Sequence, residues 1–365
     1  MGDIVAIGQA ETGTHDGASA GSRVRPYEPS VLDRLILRID RLPGHGWWVY
    51  PLAIIAFLAW IHLWLWFRGF RPLGTFEPAS LGFVFYGPFG VAAIHYLNRA
   101  GNHAMAAFRP ALRLSDEEIE VRRYELVTFP AGGWLWVFLA VGVVLGVGVV
   151  ATQQAAAVGM FGPTLADWLI VAAPVAVAGY SGFAAVTFHT LRQLRCVARL
   201  HREAHIDLFD VGPLYAFSGL TMRTGLVWIT VGYYSLTVSA AFVSGNAIAL
   251  PVTLGNFVFA TACFVVPLYG LHGRLVDVKA GLLREASRRV EAVTTQLYAR
   301  VDGEQLAGIK EVTDALGGVV AARDQVLKLP TWPWPPRALG QFATALVLPV
   351  VVYVVSRLVG QQLGT

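Results

Sequence analysis

The stretch FATACFVVPLYGLHGRLVDVKAGLLREASRRV, Phe259–Val290, starts as an apolar run and ends as a charged amphipathic one. Its first twelve residues carry no charge, whereas its last seventeen carry seven. Apolar residues recur three or four apart throughout the second half, at Leu275, Val278, Leu282, Ala286 and Val290, and then at Val293 and Leu297. No proline interrupts the pattern after Leu271, so the spacing predicts a helix that leaves a membrane and continues to about Arg300. At 1.5 Å per residue that extension is roughly 45 Å long. Val301-Asp302-Gly303 then reads as a turn. A second stripe, Leu306, Ile309, Val312, Leu316, Val319 and Val326, must run back, which makes residues 271–329 an antiparallel cytoplasmic hairpin.

The return ends at LPTWPWPP, Leu329–Pro336. Pro330 stops the helix and the later prolines hold an extended joint over 330–339. Trp332 and Trp334 are expected to anchor that joint at headgroup depth before a last span in 340–365.

Working outward, 55% of the 365 residues are hydrophobic, 14% are charged, and mean hydropathy is +0.54. That composition excludes an ordinary soluble domain and points to an all-α, polytopic transmembrane bundle. A span needs roughly 20 apolar residues. Seven stretches qualify, at 47–67, 81–97, 134–152, 168–188, 225–244, 248–270 and 340–357, the second interrupted by Gly82, Gly87, Pro88 and Gly90. A re-entrant segment is the alternative there. Of the 28 Lys and Arg, 25 fall on one set of alternate connections and three on the other. The positive-inside rule then places the N-terminus and the loops 98–131 and 189–222 in the cytoplasm and the C-terminus outside, in an inner membrane. The pI near 9.1 reflects this bias and implies no nucleic acid.

Residues 1–29 read as a disordered tail without a signal-peptide core. Residues 30–46 read as an amphipathic juxtamembrane helix, with Leu32, Leu35, Ile36 and Ile39 opposite Asp33, Arg34, Arg38 and Arg41. Ser115 and Glu118 form a capping box for a further surface helix.

Candidate chemistry is sparse. His201 and His205 stand four apart, near Asp207, a spacing that suits a metal although no third ligand is fixed and HExxH is absent. The apolar spans contain no Asp or Glu, which disfavours proton-coupled pumping. His62 and His95 could face each other as a proton-sensitive pair. Thr230, Tyr233, Tyr234 and Thr237, with Asn256 on the next span, form a polar stripe that would line a pathway or hydrogen-bond between helices. Gly142 and Gly146 make a GxxxG contact, within the subunit or between subunits. Cys196 and Cys263 define neither a disulfide framework nor a zinc site. No P-loop, nucleophile elbow or GxGxxG is present, so neither an enzyme nor a cofactor is expected.

The phrases IDRLPGHGWWVYP (39–51), RYELVTFP (123–130), HTLRQLR (189–195), DLFDVGPLYAFSGLT (207–221) and PTWPWPP (330–336) run through most of the chain. In these the chain resembles a family of uncharacterised prokaryotic integral membrane proteins, and the resemblance brings no activity with it. It implies a functional face on the cytoplasmic side, at Arg192, Tyr215, Phe217, Ser218 and Thr221. The expected function is an oligomeric gated channel or signalling scaffold, with a cytoplasmic protein partner on the hairpin. A transporter of a small neutral or amphiphilic solute is the alternative.

Overall fold

The computed structural model describes residues 25–152, 164–236, 249–304 and 307–362. It is all-helical. Among the described residues there is no strand, only an isolated bridge between Pro29 and Pro130. The expected tail up to residue 24, Thr237 and Leu306 lie outside the described residues.

The principal helices are α1 (Val31–Asp40), α2 (Val49–Phe67), α3 (Leu81–Val84), α4 (Tyr86–Phe108), α5 (Asp116–Val127) and α6 (Trp134–Thr152). They continue with α7 (Ala173–Glu203), α8 (Ala216–Tyr234), α9 (Ala249–Asp302), α10 (Ile309–Lys328) and α11 (Pro336–Gln362). Among the described residues, three helical segments are long and apolar enough to cross a membrane: Val49–Phe67, Leu169–Glu203 and Thr253–Asp302. Trp134–Gly148 and Arg337–Leu348 are shorter apolar stretches. Leu63, Val144, Val258 and Val266 stand 60 to 71% exposed, the outward apolar surface expected of helices that face lipid rather than water.

The interruption anticipated near Gly82–Pro88 is a break at Phe85, between α3 and α4. Beyond it α4 lies so near α7 that a Cβ on Gly90 would come within 2.7 Å of the Gly182 carbonyl. The GxxxG pair also packs inside the chain. A Cβ on Gly142 would meet the Val177 carbonyl at 2.7 Å, and one on Gly146 would meet Ala176 at 3.3 Å. Small residues thus bring both α4 and α6 to backbone distance of α7. One large core joins α4, α7, α8 and α9, and a smaller one lies under α2 around Ile61, Leu65 and Val175.

α9 is continuous for 54 residues and carries Pro267 inside it. In the apolar stripes of α9 and α10, Leu275, Val312 and Val326 are buried and the other described members are half-buried. Lys279 Nζ donates to the carbonyls of Leu327 and Leu329 at 2.8 Å, and Arg300 to Ala307 at 3.2 Å.

The N-terminal helix is rotated from the sequence expectation. Ile36 and Ile39 are buried, but so is Asp33, while Leu35 is exposed. The cause is polar. Ser30 caps α1 through a capping box with Asp33, and the same carboxylate accepts the Phe129 amide at 3.0 Å. An inward aspartate with three donors to one oxygen is a tolerable burial, whereas an unpaired one is not. The Ser115–Glu118 capping box starts α5 as expected.

Candidate functional site

α1 ends at Asp40, and the chain turns through Gly44, His45 and Gly46, all left-handed, into α2. Gly46 has no alternative, because a Cβ there would collide with the Ile39 backbone. His45 at φ 55° carries strain that glycine would not. The turn places His45 Nδ1 3.3 Å from Asp40 Oδ1.

Asp40 Oδ1 also accepts from Arg99 Nη1 at 2.8 Å and meets His95 Nε2 at 3.1 Å. His95 Nδ1 lies 2.8 Å from the Tyr50 hydroxyl. Only one tautomer satisfies both ends: Nε2–H donates to the carboxylate and Nδ1 accepts from Tyr50. Trp47 lies flat on the His95 ring, with centroids 4.4 Å apart. Burial works against ionisation of Asp40, but the His95 and Arg99 hydrogen bonds outweigh it and hold its pKa below the ordinary carboxylate value. Asp33 goes the other way, because burial outweighs its hydrogen bonds and raises its pKa.

Asp40 and His95 form part of the wall of a cavity of about 700 Å³ between α1, α4 and α5. Arg99, Arg123 and Arg25 supply positive charge, Asp33, Asp116, Glu117 and Glu120 add negative charge to that of Asp40, and Ile36, Leu37 and Val127 supply apolar surface. The volume falls within the usual range for small-ligand pockets. His95 and Asp40 of its wall belong to a pre-ordered Tyr–His–Asp hydrogen-bond chain that runs back to Tyr50.

The other sequence candidates are dispersed. His201 is buried between Phe108 and Phe217, with Nδ1 3.4 Å from the Pro267 carbonyl. α7 ends at Glu203 and Ala204 is extended, so His205 leaves the helix and the four-residue spacing no longer defines a shared face. His205 pairs with Arg113, and Asp207 accepts the Phe209 amide. Among the described residues no group of three His, Cys, Asp or Glu side chains could hold a metal. His62 does not face His95. It bonds to the Leu58 carbonyl and the Glu77 amide, twelve residues along α2 from Tyr50, or about 18 Å.

In the polar stripe, Thr230 is exposed and bonded to the Leu226 carbonyl, Tyr233 is half-buried, and Asn256 is buried. Tyr234 stacks on Phe85 at 3.9 Å and donates to the Leu81 carbonyl. Of the inferred cytoplasmic face, Phe217, Ser218 and Thr221 are buried, and Tyr215 is half-buried. Arg192 Nη1 donates to the Glu125 carbonyl at 2.5 Å and to the Tyr27 hydroxyl at 3.2 Å, with its guanidinium over Phe129. Trp332 and Trp334 stack on each other at 4.8 Å and on α9, Trp332 against His272 and Trp334 against Phe264.

Sequence reasoning missed the Asp40–His95–Tyr50 chain. The phrase IDRLPGHGWWVYP contains three of its members or neighbours, Asp40, His45 and Tyr50, and His95 and Arg99 stand four apart on α4. Their coincidence in two separate segments was the available signal.

No family model, curated protein or solved structure matches the chain.

Proposed function

We propose that the chain is a seven-span inner-membrane protein, N-terminus inside and C-terminus outside, that assembles as a homo-oligomer. In this proposal it works as a gated channel or signalling assembly rather than an enzyme and needs no cofactor. α9 and α10 form its cytoplasmic hairpin, which couples a cytoplasmic protein partner to the bundle. The observation that carries the reading is the unbroken α9, one helix from Ala249 to Asp302 that both packs in the large core and extends past it. The 25-to-3 partition of basic residues supports the orientation. The solute-carrier alternative has less support, since stacked Phe85 and Tyr234 occupy the interval where its site would lie.

The test is reconstitution of the purified chain in lipid, with mass determination of the assembly and conductance recording. A multimer whose conductance or partner binding changes when the α9–α10 hairpin is cross-linked is the expected result. A monomer that passes no ion and binds no cytoplasmic partner would overturn the proposal.

A further inference from the structure

We propose that the cavity beneath α1 seats a phospholipid headgroup that pairs a phosphate with a primary ammonium, the phosphoethanolamine type. This rests on α2 being a membrane span, one part of the function proposed above.

Depth is the first argument. α2 has 19 residues, about 29 Å of helix, close to the roughly 30 Å hydrocarbon thickness. Its first turn therefore lies at the boundary with the headgroups. Tyr50 belongs to that turn and is bonded to His95 in the cavity wall, so the cavity is fixed at headgroup level. Leu37, Leu42, Trp47 and Trp48 around the α1–α2 turn are 36 to 52% exposed, the apolar and indole surface typical of an interfacial belt.

Charge is the second. Arg99 and Arg123 offer guanidinium donors that are still 35% and 38% exposed, suited to a phosphate. Asp40, 37% exposed, and Glu120 offer acceptors for the N–H groups of an ammonium. Ile36 and Leu37 line the same space and would meet the start of the acyl chains. A quaternary ammonium has no N–H to donate and selects open aromatic faces. Here one face of Trp47 is already covered by His95. A lipid with net negative charge would meet five carboxylate side chains against three arginines.

The experiment uses the full chain, delipidated in detergent, with phosphatidylethanolamine, phosphatidylcholine or phosphatidylglycerol added. Binding is read by native mass spectrometry and by the shift in thermal midpoint. Phosphatidylethanolamine should bind at least about tenfold tighter than either other lipid. Arg123→Gln and Asp40→Asn should each abolish that preference, and Glu285→Gln on α9 should keep it. Equal binding of all three lipids, or preference for phosphatidylglycerol, would overturn the inference. So would an equal shift from soluble phosphorylethanolamine, which would assign the pocket to a free solute. A protein that stays soluble without detergent would instead remove the membrane span itself.

Discussion

His272 lies flat against Trp332, with ring centroids 3.9 Å apart and planes 9° from parallel. His272 Nδ1 also bonds the Thr331 carbonyl at 2.8 Å, so the return joint is fastened to α9 by both a ring face and a hydrogen bond. Trp334 goes deeper, onto Phe264, which itself stacks on Phe342. The two tryptophans should therefore behave differently. Trp332→Ala should cost about 1 kcal/mol, the scale of one aromatic pair, and accelerate proteolysis near Leu329. Trp334→Ala should cost about 2 to 3 kcal/mol, because it leaves a cavity beside the core. Denaturation of each variant in detergent measures the difference, and equal losses would contradict the layered stacking.

Two glycines on α8 give a second contrast. A Cβ on Gly225 would come within 3.0 Å of the Ala260 carbonyl and 2.5 Å of the Phe342 ring, whereas one on Gly219 meets nothing within 4 Å. Gly225→Ala should destabilise by about 1 to 3 kcal/mol, and Gly219→Ala should be neutral or stabilising by up to about 1 kcal/mol. Thermal midpoints of the two single variants test this directly.

Asp33 and Asp40 should respond to acid with opposite signs. The lowered pKa of Asp40 means its ionised form stabilises the fold above the unfolded value of roughly 4, and that contribution is lost as pH falls through its lower folded value. The raised pKa of Asp33 means its burial cost is present above that raised value and is relieved as pH falls through it. At pH 7 Asp40→Asn should therefore lower the thermal midpoint more than Asp33→Asn, whose amide oxygen keeps an acceptor for Phe129. On acidification the Asp40→Asn variant should converge on the wild type. The pH profiles of the three proteins provide the check.

At the far end of α2, Asp167 is buried and accepts from Arg68 Nε at 3.0 Å, Trp64 Nε1 at 3.2 Å and Thr164 Oγ1 at 2.5 Å. Removing its carboxylate takes the acceptor from four donors, the Thr164 amide included, whereas removing Arg68 leaves an acceptor that keeps its other partners. Asp167→Ala should lower the thermal midpoint by several degrees and more than Arg68→Gln does. The reverse order would show that the ion pair, not the hydrogen-bonded carboxylate, ties α2 to the start of the Leu169–Glu203 segment.

Much of α9 and α10 was legible because a 3.6-residue stripe persists over many turns and no breaker intervenes between Leu271 and Arg300. The Ser115–Glu118 cap was legible for a local reason, since both partners lie within one turn. What escaped depends on distant segments. Nothing near residue 204 announces the end of α7. That end is held by Arg274 of α9, which donates to the carbonyls of His201 and Ala204, so the histidine spacing misled. The inward turn of Asp33 depends on an amide at Phe129, and the Asp40–His95–Tyr50 chain joins residues up to 55 positions apart. Periodicity encodes which face is apolar, but not which distant donor will satisfy a polar group on that face.

The continuity of α9 also sets a mechanical gain. Leu275 is its last fully buried residue toward the C-terminal end, leaving 27 residues to Asp302, about 40 Å of helix beyond Leu275. A rotation of only about 5° at the core boundary would sweep the far tip through roughly 3.5 Å. That is more than half a helical pitch of 5.4 Å, enough to exchange one set of side-chain contacts for another. Motion too small to open a gap between core helices would become, at the tip, a change that a bound protein could register.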